Sequence, residues 1–252
     1  MRSNKKLLAS AKLYLILDTQ VLDYGTLLQV LKDSVRGGVD IVQLRDKKGS
    51  TKEILDFCRK VLKITKHQIP FIVNDRADLA FFSGADGLHL GQEDLEYSLA
   101  LRLLGKNKII GVSCQTLDHA LKAQAQGADY IGFGSVFQTQ TKPDRRVMDL
   151  DLLKKVIKKV KIPIFPIGGI SRGNIGQLIP LGVKRVAVCR DILLAKDVFK
   201  AVKELKIFLQ QGTTQRGGNS VVEFQLPKLT TRVRFPSPAP YKGTQQCQNV
   251  KF

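Results

Sequence analysis

From residue 13 to residue 209, short apolar runs alternate with longer segments whose apolar residues recur every three or four positions. The short runs are 13–17, 39–44, 69–73, 88–90, 109–112, 130–133, 163–167 and 183–188. They have strand length and little internal polarity, as expected of parallel strands covered on both faces. Between them, Leu27, Val30, Leu31 and Val35, and then Ile54, Phe57, Cys58, Val61 and Leu62, each mark one apolar helix face. Further helical stretches are predicted around Leu79-Ala80-Phe81, over 95–104 and 117–125, from Leu152 to Val160 by spacing, and over 193–209. Gly37-Gly38 stops the first helix, and Ser50 or Thr51 can cap the second. Eight strand-then-helix units in about 200 residues predict a single (β/α)8 TIM barrel at the compact end of its size range. A doubly wound open sheet is the alternative. It would have to explain why polar motifs end nearly every strand, not only those beside one crevice.

Residues 1–12 read as a leader into the first strand. The start is basic, Lys12 divides the apolar segment, and no small-residue cleavage site follows. The barrel is assigned to 13–211. From Gly212 the pattern is lost: the last 41 residues hold four of the nine prolines and no amphipathic period. This composition predicts a disordered extension over 212–252 with no catalytic role. Arg232-Val233-Arg234-Phe235-Pro236 can be encoded by CGG GTT CGA TTC CC, which contains a tRNA T-arm sequence. The tail is therefore expected to be a reading frame continued into a neighbouring tRNA gene.

Composition changes this picture little. A hydrophobic share of 43% supports a sizeable core, and no apolar run reaches the roughly 20 residues of a membrane span. Cys58, Cys114, Cys189 and Cys247 are too scattered for a zinc site or a disulfide framework, so a reduced, cytoplasmic setting is expected. The net charge is +19; the tail carries six Lys or Arg and one Glu, which leaves +14 on the rest. Lysine pairs such as Lys154-Lys155 belong on solvated helix faces. Interleaved aromatics for a nucleic-acid groove are scarce, so no nucleic-acid partner is expected. The rival of that class, a basic non-catalytic binder, would show steeply salt-dependent retention on DNA.

Candidate chemistry gathers at the strand ends, where a barrel places its active site. The central stretch is NDRADLAFFSGADGLHLGQED, 74–94, in which two successive strands finish in acidic turns. Asp75 and Asp94 could face one ligand there and suit Mg2+, which takes one or two carboxylates plus phosphate oxygens. Helix capping is the alternative for each. Gln43, Arg45 and Lys47 alternate, so in a continued strand they share a side. The two cations could hold a pyrophosphate and the amide a heterocycle edge. Ser113 offers a hydroxyl or a helix cap. Thr139, Thr141 and Lys142 lie in a loop suited to a phosphate or a closing lid. Gly168-Gly169 and Val188-Cys189-Arg190 occupy the usual phosphate positions of a barrel. His67, His89 and His119 show no ligand spacing, and His89 is expected to pack or hydrogen-bond inside the barrel. Cys114 and Cys189 are expected to be small core or strand-end residues. The inventory is two acids for a cation, two anion sites, and no evident nucleophile or base.

On YLILD, QLRDK, the 74–94 motif, GVSCQTL, GADYIGFGSVFQTQTK, PIGGIS and VAVCRDI, the chain resembles the thiamine-phosphate synthase family over 13–209. That family condenses 4-amino-2-methyl-5-(diphosphooxymethyl)pyrimidine with a thiazole phosphate, plain or carboxylated, releasing pyrophosphate. The resemblance implies Mg2+ at Asp75 and Asp94, the pyrimidine at Gln43, and pyrophosphate at Arg45, Lys47, Asn74, Ser113 and Lys142. It further implies the thiazole phosphate at Thr139, Thr141, Gly169 and the end of strand eight, including Val188, Cys189 and Arg190. The partners implied are small phosphorylated substrates, with no membrane; a homo-oligomer is admitted. Gln115 stands where many relatives carry His, which separates the chain from the related thiazole tautomerases. Arg190-Asp191 replaces a Ser-Ala pair found in some members, and Ile16-Leu17-Asp18 replaces Val-Thr-Asp.

Overall fold

The computed structural model describes residues 4–140 and 147–211. Eight parallel strands, β1 (Leu13–Asp18), β2 (Ile41–Arg45), β3 (Phe71–Asn74), β4 (Gly87–Leu90), β5 (Ile109–Cys114), β6 (Tyr130–Phe133), β7 (Ile164–Pro166) and β8 (Val186–Val188), form one sheet. Each pairs with its sequence neighbours from β1 to β7, and β8 returns to pair with β1. β7 and β8, the two ends of this ladder, adjoin each other and complete the (β/α)8 barrel. Alternation along the strands sorts the side chains. Leu13, Leu15 and Leu17 face outward into the cluster under the helices, whereas Tyr14 and Ile16 join Ile41, Ile72, Ile109, Tyr130, Phe165 and Ala187 inside.

The helices are α1 (Asn4–Ser10), α2 (Tyr24–Gly37), α3 (Thr51–Thr65), α4 (Ala77–Ser83), α5 (Tyr97–Leu104), α6 (Leu117–Gln126), α7 (Leu150–Lys159), α8 (Arg190–Leu193) and α9 (Val198–Gln211). Ser50 and Glu53 form a reciprocal capping box at the start of α3, as the sequence suggested. Four details differ from the sequence reading. The leader contains α1, whose Leu8 packs into the barrel-interior cluster while Asn4 bonds Asp86 and Lys5 pairs with Asp129. Val39 closes α2 instead of starting a strand, its N–H donating to Ser34 O at 3.1 Å. Two short 3-10 turns, Ile175–Gln177 and Ile179–Leu181, replace a helix between β7 and β8. They absorb Val183, whose N–H donates to Leu178 O, so β8 begins later than the apolar run. The last helix is broken into α8 and α9, because Asp197 restarts it by accepting from Lys200 N at 2.9 Å. Residues 212–252, with the predicted disorder and reading-frame extension, lie outside the described residues. No helix among the described residues is long and apolar enough to cross a membrane.

Candidate active site

The carboxyl ends of the strands surround a cavity of about 470 Å³. Its base is aromatic: Tyr14, Tyr130 and Phe165 meet edge to face, with centroids 5.4 to 5.7 Å apart. Gly111 leaves room for this cluster, since a Cβ there would lie 2.0 Å from Tyr130 Cζ. A continuous chain of side-chain hydrogen bonds crosses the base. Gln43 Nε2 donates to Tyr14 OH at 2.8 Å, and Tyr14 OH meets Tyr130 OH at 2.8 Å. Tyr130 OH meets His89 Nδ1 at 3.0 Å, and His89 Nε2 meets Ser113 Oγ at 2.9 Å. Gln43 and Ser113, expected at the site, are therefore linked through three residues that sequence reading had not placed there. His89 hydrogen-bonds within the barrel as expected, but it also lines the cavity. Ser113 is not a cap, because Thr116 caps α6.

Asn74 carries the cavity wall to a charged cluster beside it. Asp75 follows Asn74 with φ of +62°, in a tight turn where Arg76 N donates to Asn74 O at 2.7 Å. Its own N–H is held by His89 O at 2.8 Å. Such backbone conformations are costly for a residue with a side chain and concentrate at functional sites. The Asp75 carboxylate pairs with the Lys47 ammonium and lies within hydrogen-bonding reach of Asp94. Burial and Asp75 together push the Asp94 carboxyl above the usual carboxylate range, while Gly91 N–H and Lys47 oppose the shift. Neither Asp caps a helix: Arg76 and Glu96 occupy the cap positions of α4 and α5. Asp94 instead accepts from Gly91 N at 2.6 Å. The sequence reading had Asp75 and Asp94 facing one ligand from two successive strand ends; it had grouped Lys47 with Gln43 and Arg45, and the structure sets Lys47 against Asp75. β2 stops at Arg45, so Lys47 departs from the strand and does not line the cavity, unlike Gln43 and Arg45.

Arg45 is held from behind by Asp18 Oδ2 at 2.9 Å and Gln20 Oε1 at 2.7 Å, and Asp18 is fully buried. Its Nε is buried and has no partner among the described residues. On the opposite wall, the loop after β6 lies against the loop after β7. Val136 N donates to Ile167 O and Phe137 N to Gly168 O, both at 2.9 Å. The approach requires glycine: at Gly168, with φ of +103°, a Cβ would sit 2.0 Å from Ser135 Oγ. Gly169, Thr139, Cys189 and Arg190 line this wall, as expected; Thr141 and Lys142 lie outside the described residues. Val188 needs correction, since its side chain faces the helices and lines no part of the cavity. Inward alternation in β8 falls to Ala187 and, beyond the strand, Cys189. Arg190 makes no ion pair among the described residues. Its neighbour Asp191 is taken by Arg172, through Nε at 3.0 Å and the backbone N at 3.1 Å. Burial pushes the Cys114 thiol up to about 12, which suits the expectation of an inert core residue.

The model of a family described as "Thiamine monophosphate synthase" matches residues 13–192, which takes in all eight strands and Arg190. The chain belongs to the thiamine monophosphate synthase family. A thiamine-phosphate synthase of Clostridium tetani is 40% identical over 200 residues, covering 79% of this chain and 96% of that one. One of Clostridioides difficile is 40% identical over 194 residues, covering 77% and 92%. Among solved structures, a thiamine phosphate pyrophosphorylase from Pyrococcus furiosus is 35% identical with a TM-score of 0.74, covering 82% of this chain and 98% of that one. A 3-hexulose-6-phosphate synthase, 21% identical with a TM-score of 0.59, covers 78% and 99% and shares the fold alone. Within this synthase family member, α1 lies outside the matched span.

Proposed function

We propose that this protein is a thiamine-phosphate synthase, joining an aminopyrimidine methyl diphosphate to a thiazole phosphate with release of pyrophosphate. The observation that carries the reading is the convergence of Asp75, Asp94 and Lys47 beside a cavity walled by Gln43, Arg45 and Ser113. Gln43 would orient the pyrimidine, and the aromatic base would carry its ring face. Arg45, Lys47, Asn74, Ser113 and Lys142 would hold the diphosphate, with Gly169, Cys189, Arg190, Thr139 and Thr141 around the thiazole phosphate. The methylene C–O bond breaks and its electron pair leaves with the diphosphate. The thiazole nitrogen then donates its lone pair to the methylene carbon. No protein nucleophile or base is required, so the side chains act by positioning and by stabilising charge on the leaving group.

The Asp75–Asp94 pair fits a divalent cation such as Mg2+. Burial first, and the neighbouring Asp75 carboxylate second, raise the proton affinity of Asp94, and a cation between the two acids would relieve both effects. Two carboxylates with substrate phosphate oxygens are a usual Mg2+ set. When bound, the ion would add positive charge at the diphosphate oxygens. The decisive experiment is a coupling assay with both substrates, following pyrophosphate release with Mg2+ and with excess EDTA. Turnover should require Mg2+ and return when it is restored. Absence of thiamine phosphate under every condition would sink the synthase reading, and equal turnover in EDTA would sink the metal assignment alone.

A further inference from the structure

We infer that Tyr14, Tyr130 and His89 form a one-way hydrogen-bond relay through which Gln43 and Ser113 read the two ends of one substrate jointly. The inference rests on the proposal that Gln43 faces the heterocycle and Ser113 the diphosphate. The direction follows from proton bookkeeping along the chain. Gln43 Nε2 is a donor, so Tyr14 oxygen accepts from it. Tyr14 is buried, and Tyr130 is the partner left for its proton among the described residues, so the polarity that uses every buried donor has Tyr14 donating to Tyr130. Tyr130 must then donate to His89 Nδ1. An imidazole accepting at Nδ1 carries its proton on Nε2 when neutral, and donates it to Ser113 Oγ. The Ser113 hydroxyl proton is thereby left for the cavity, where an anion would accept it. Burial pushes both tyrosine hydroxyls well above the ordinary tyrosine range, so each keeps its proton.

At the other end, the Gln43 carbonyl makes no protein hydrogen bond among the described residues, and Gln43 lines the cavity. A ligand amino group there stabilises the observed polarity. A ligand carbonyl would instead require the amide to turn, reversing every donor in the chain. Ser113 would then spend its proton on His89 and show lone pairs to the anion. The positioning residues Tyr14, Tyr130 and His89 thus make recognition of an amino-bearing ring a condition for stabilising the departing diphosphate. Gly111 and Gly132 allow the arrangement: a Cβ at the latter would lie 3.2 Å from His89 Cε1.

Two measurements test this. The first is the 15N spectrum of the ligand-free full chain, which holds only three histidines, with His89 assigned through His89→Gln. His89 should be neutral with its proton on Nε2; a proton on Nδ1, or an imidazolium, overturns the relay. The second compares the amino-pyrimidine diphosphate with its oxo counterpart in the wild type and in Tyr130→Phe, which cuts the chain but keeps the ring. The wild type should prefer the amino compound. In Tyr130→Phe that preference should fall by about tenfold or more, through a lower kcat for the amino compound at nearly unchanged KM. An unchanged preference overturns the coupling. Tyr14→Phe cuts the chain at another link and serves if Tyr130→Phe does not fold. Inactivity of the wild type toward both compounds would sink the functional reading, while the tautomer measurement still decides the relay.

Discussion

Asp75 concentrates several constraints in one residue: a left-handed backbone, an N–H held by β4, and a carboxylate facing Asp94 and Lys47. Asp75→Ala and Asp94→Ala should each lower kcat by roughly a hundredfold to a thousandfold, the scale of losing a preorganised electrostatic group. Circular dichroism should show the fold intact. The same variants should lose the stabilisation that Mg2+ confers on the wild type in thermal unfolding, about 2.7 kcal/mol at a hundredfold excess over Kd. Normal turnover in both variants would remove these residues from the site. Arg190 supports a separate prediction, because it lines the cavity without an ion pair among the described residues. Arg190→Ala should raise KM for the thiazole phosphate about tenfold or more, leave KM for the pyrimidine diphosphate alone, and have little effect with the unphosphorylated thiazole alcohol. An equal effect with and without the phosphate would mean that Arg190 does not read it. The two aspartates were legible because they end successive strands. Tyr14 and Tyr130 were not, since a tyrosine within an apolar run carries no mark of the face it occupies.

Between elements, the site depends on contacts that hold the barrel at both ends. At the amino-terminal end, α1 sets Leu8 against the interior cluster, and Asn4 and Lys5 tie it to Asp86 and Asp129. Leu8→Ala should cost about 2–5 kcal/mol of stability by leaving a cavity. Urea denaturation would show this as a lower midpoint, with KM unchanged; no shift would mean that the helix does not support the core. At the opposite end, the loops after β6 and β7 press together at Gly168, where φ is +103° and Ser135 fills the Cβ position. Gly168→Ala should therefore lower the melting temperature, through backbone strain and the clash with Ser135, and also raise KM for the thiazole phosphate. A fall in melting temperature with normal KM would place the role of Gly168 in folding alone. The glycine pair was visible in the sequence. Its close partner, some thirty residues earlier in the chain by the spacing of Ser135 and Gly168, was not.

For the molecule as a whole, residues 13–211 carry the strands, the cavity and the charged cluster, while 212–252 are proposed to take no part in catalysis. A chain ending at Gln211 should keep full turnover and the same urea midpoint; an inactive or insoluble product would make the tail part of the working protein. The residue pattern determined the alternation of eight strands with helices, because burial on both sides of a parallel strand and on one side of a helix is written in local hydrophobic periodicity. It also placed the polar motifs at the strand ends. Tertiary structure alone decided which of those motifs meet. Tyr14 and Tyr130 share a hydrogen bond across 116 residues of sequence, and Lys47 reaches Asp75 across 28. Leu8 enters a barrel whose walls follow it in the chain. Periodicity is a property of neighbours along the backbone, whereas these encounters depend on how the strands close into a barrel and which side chains that closure turns inward.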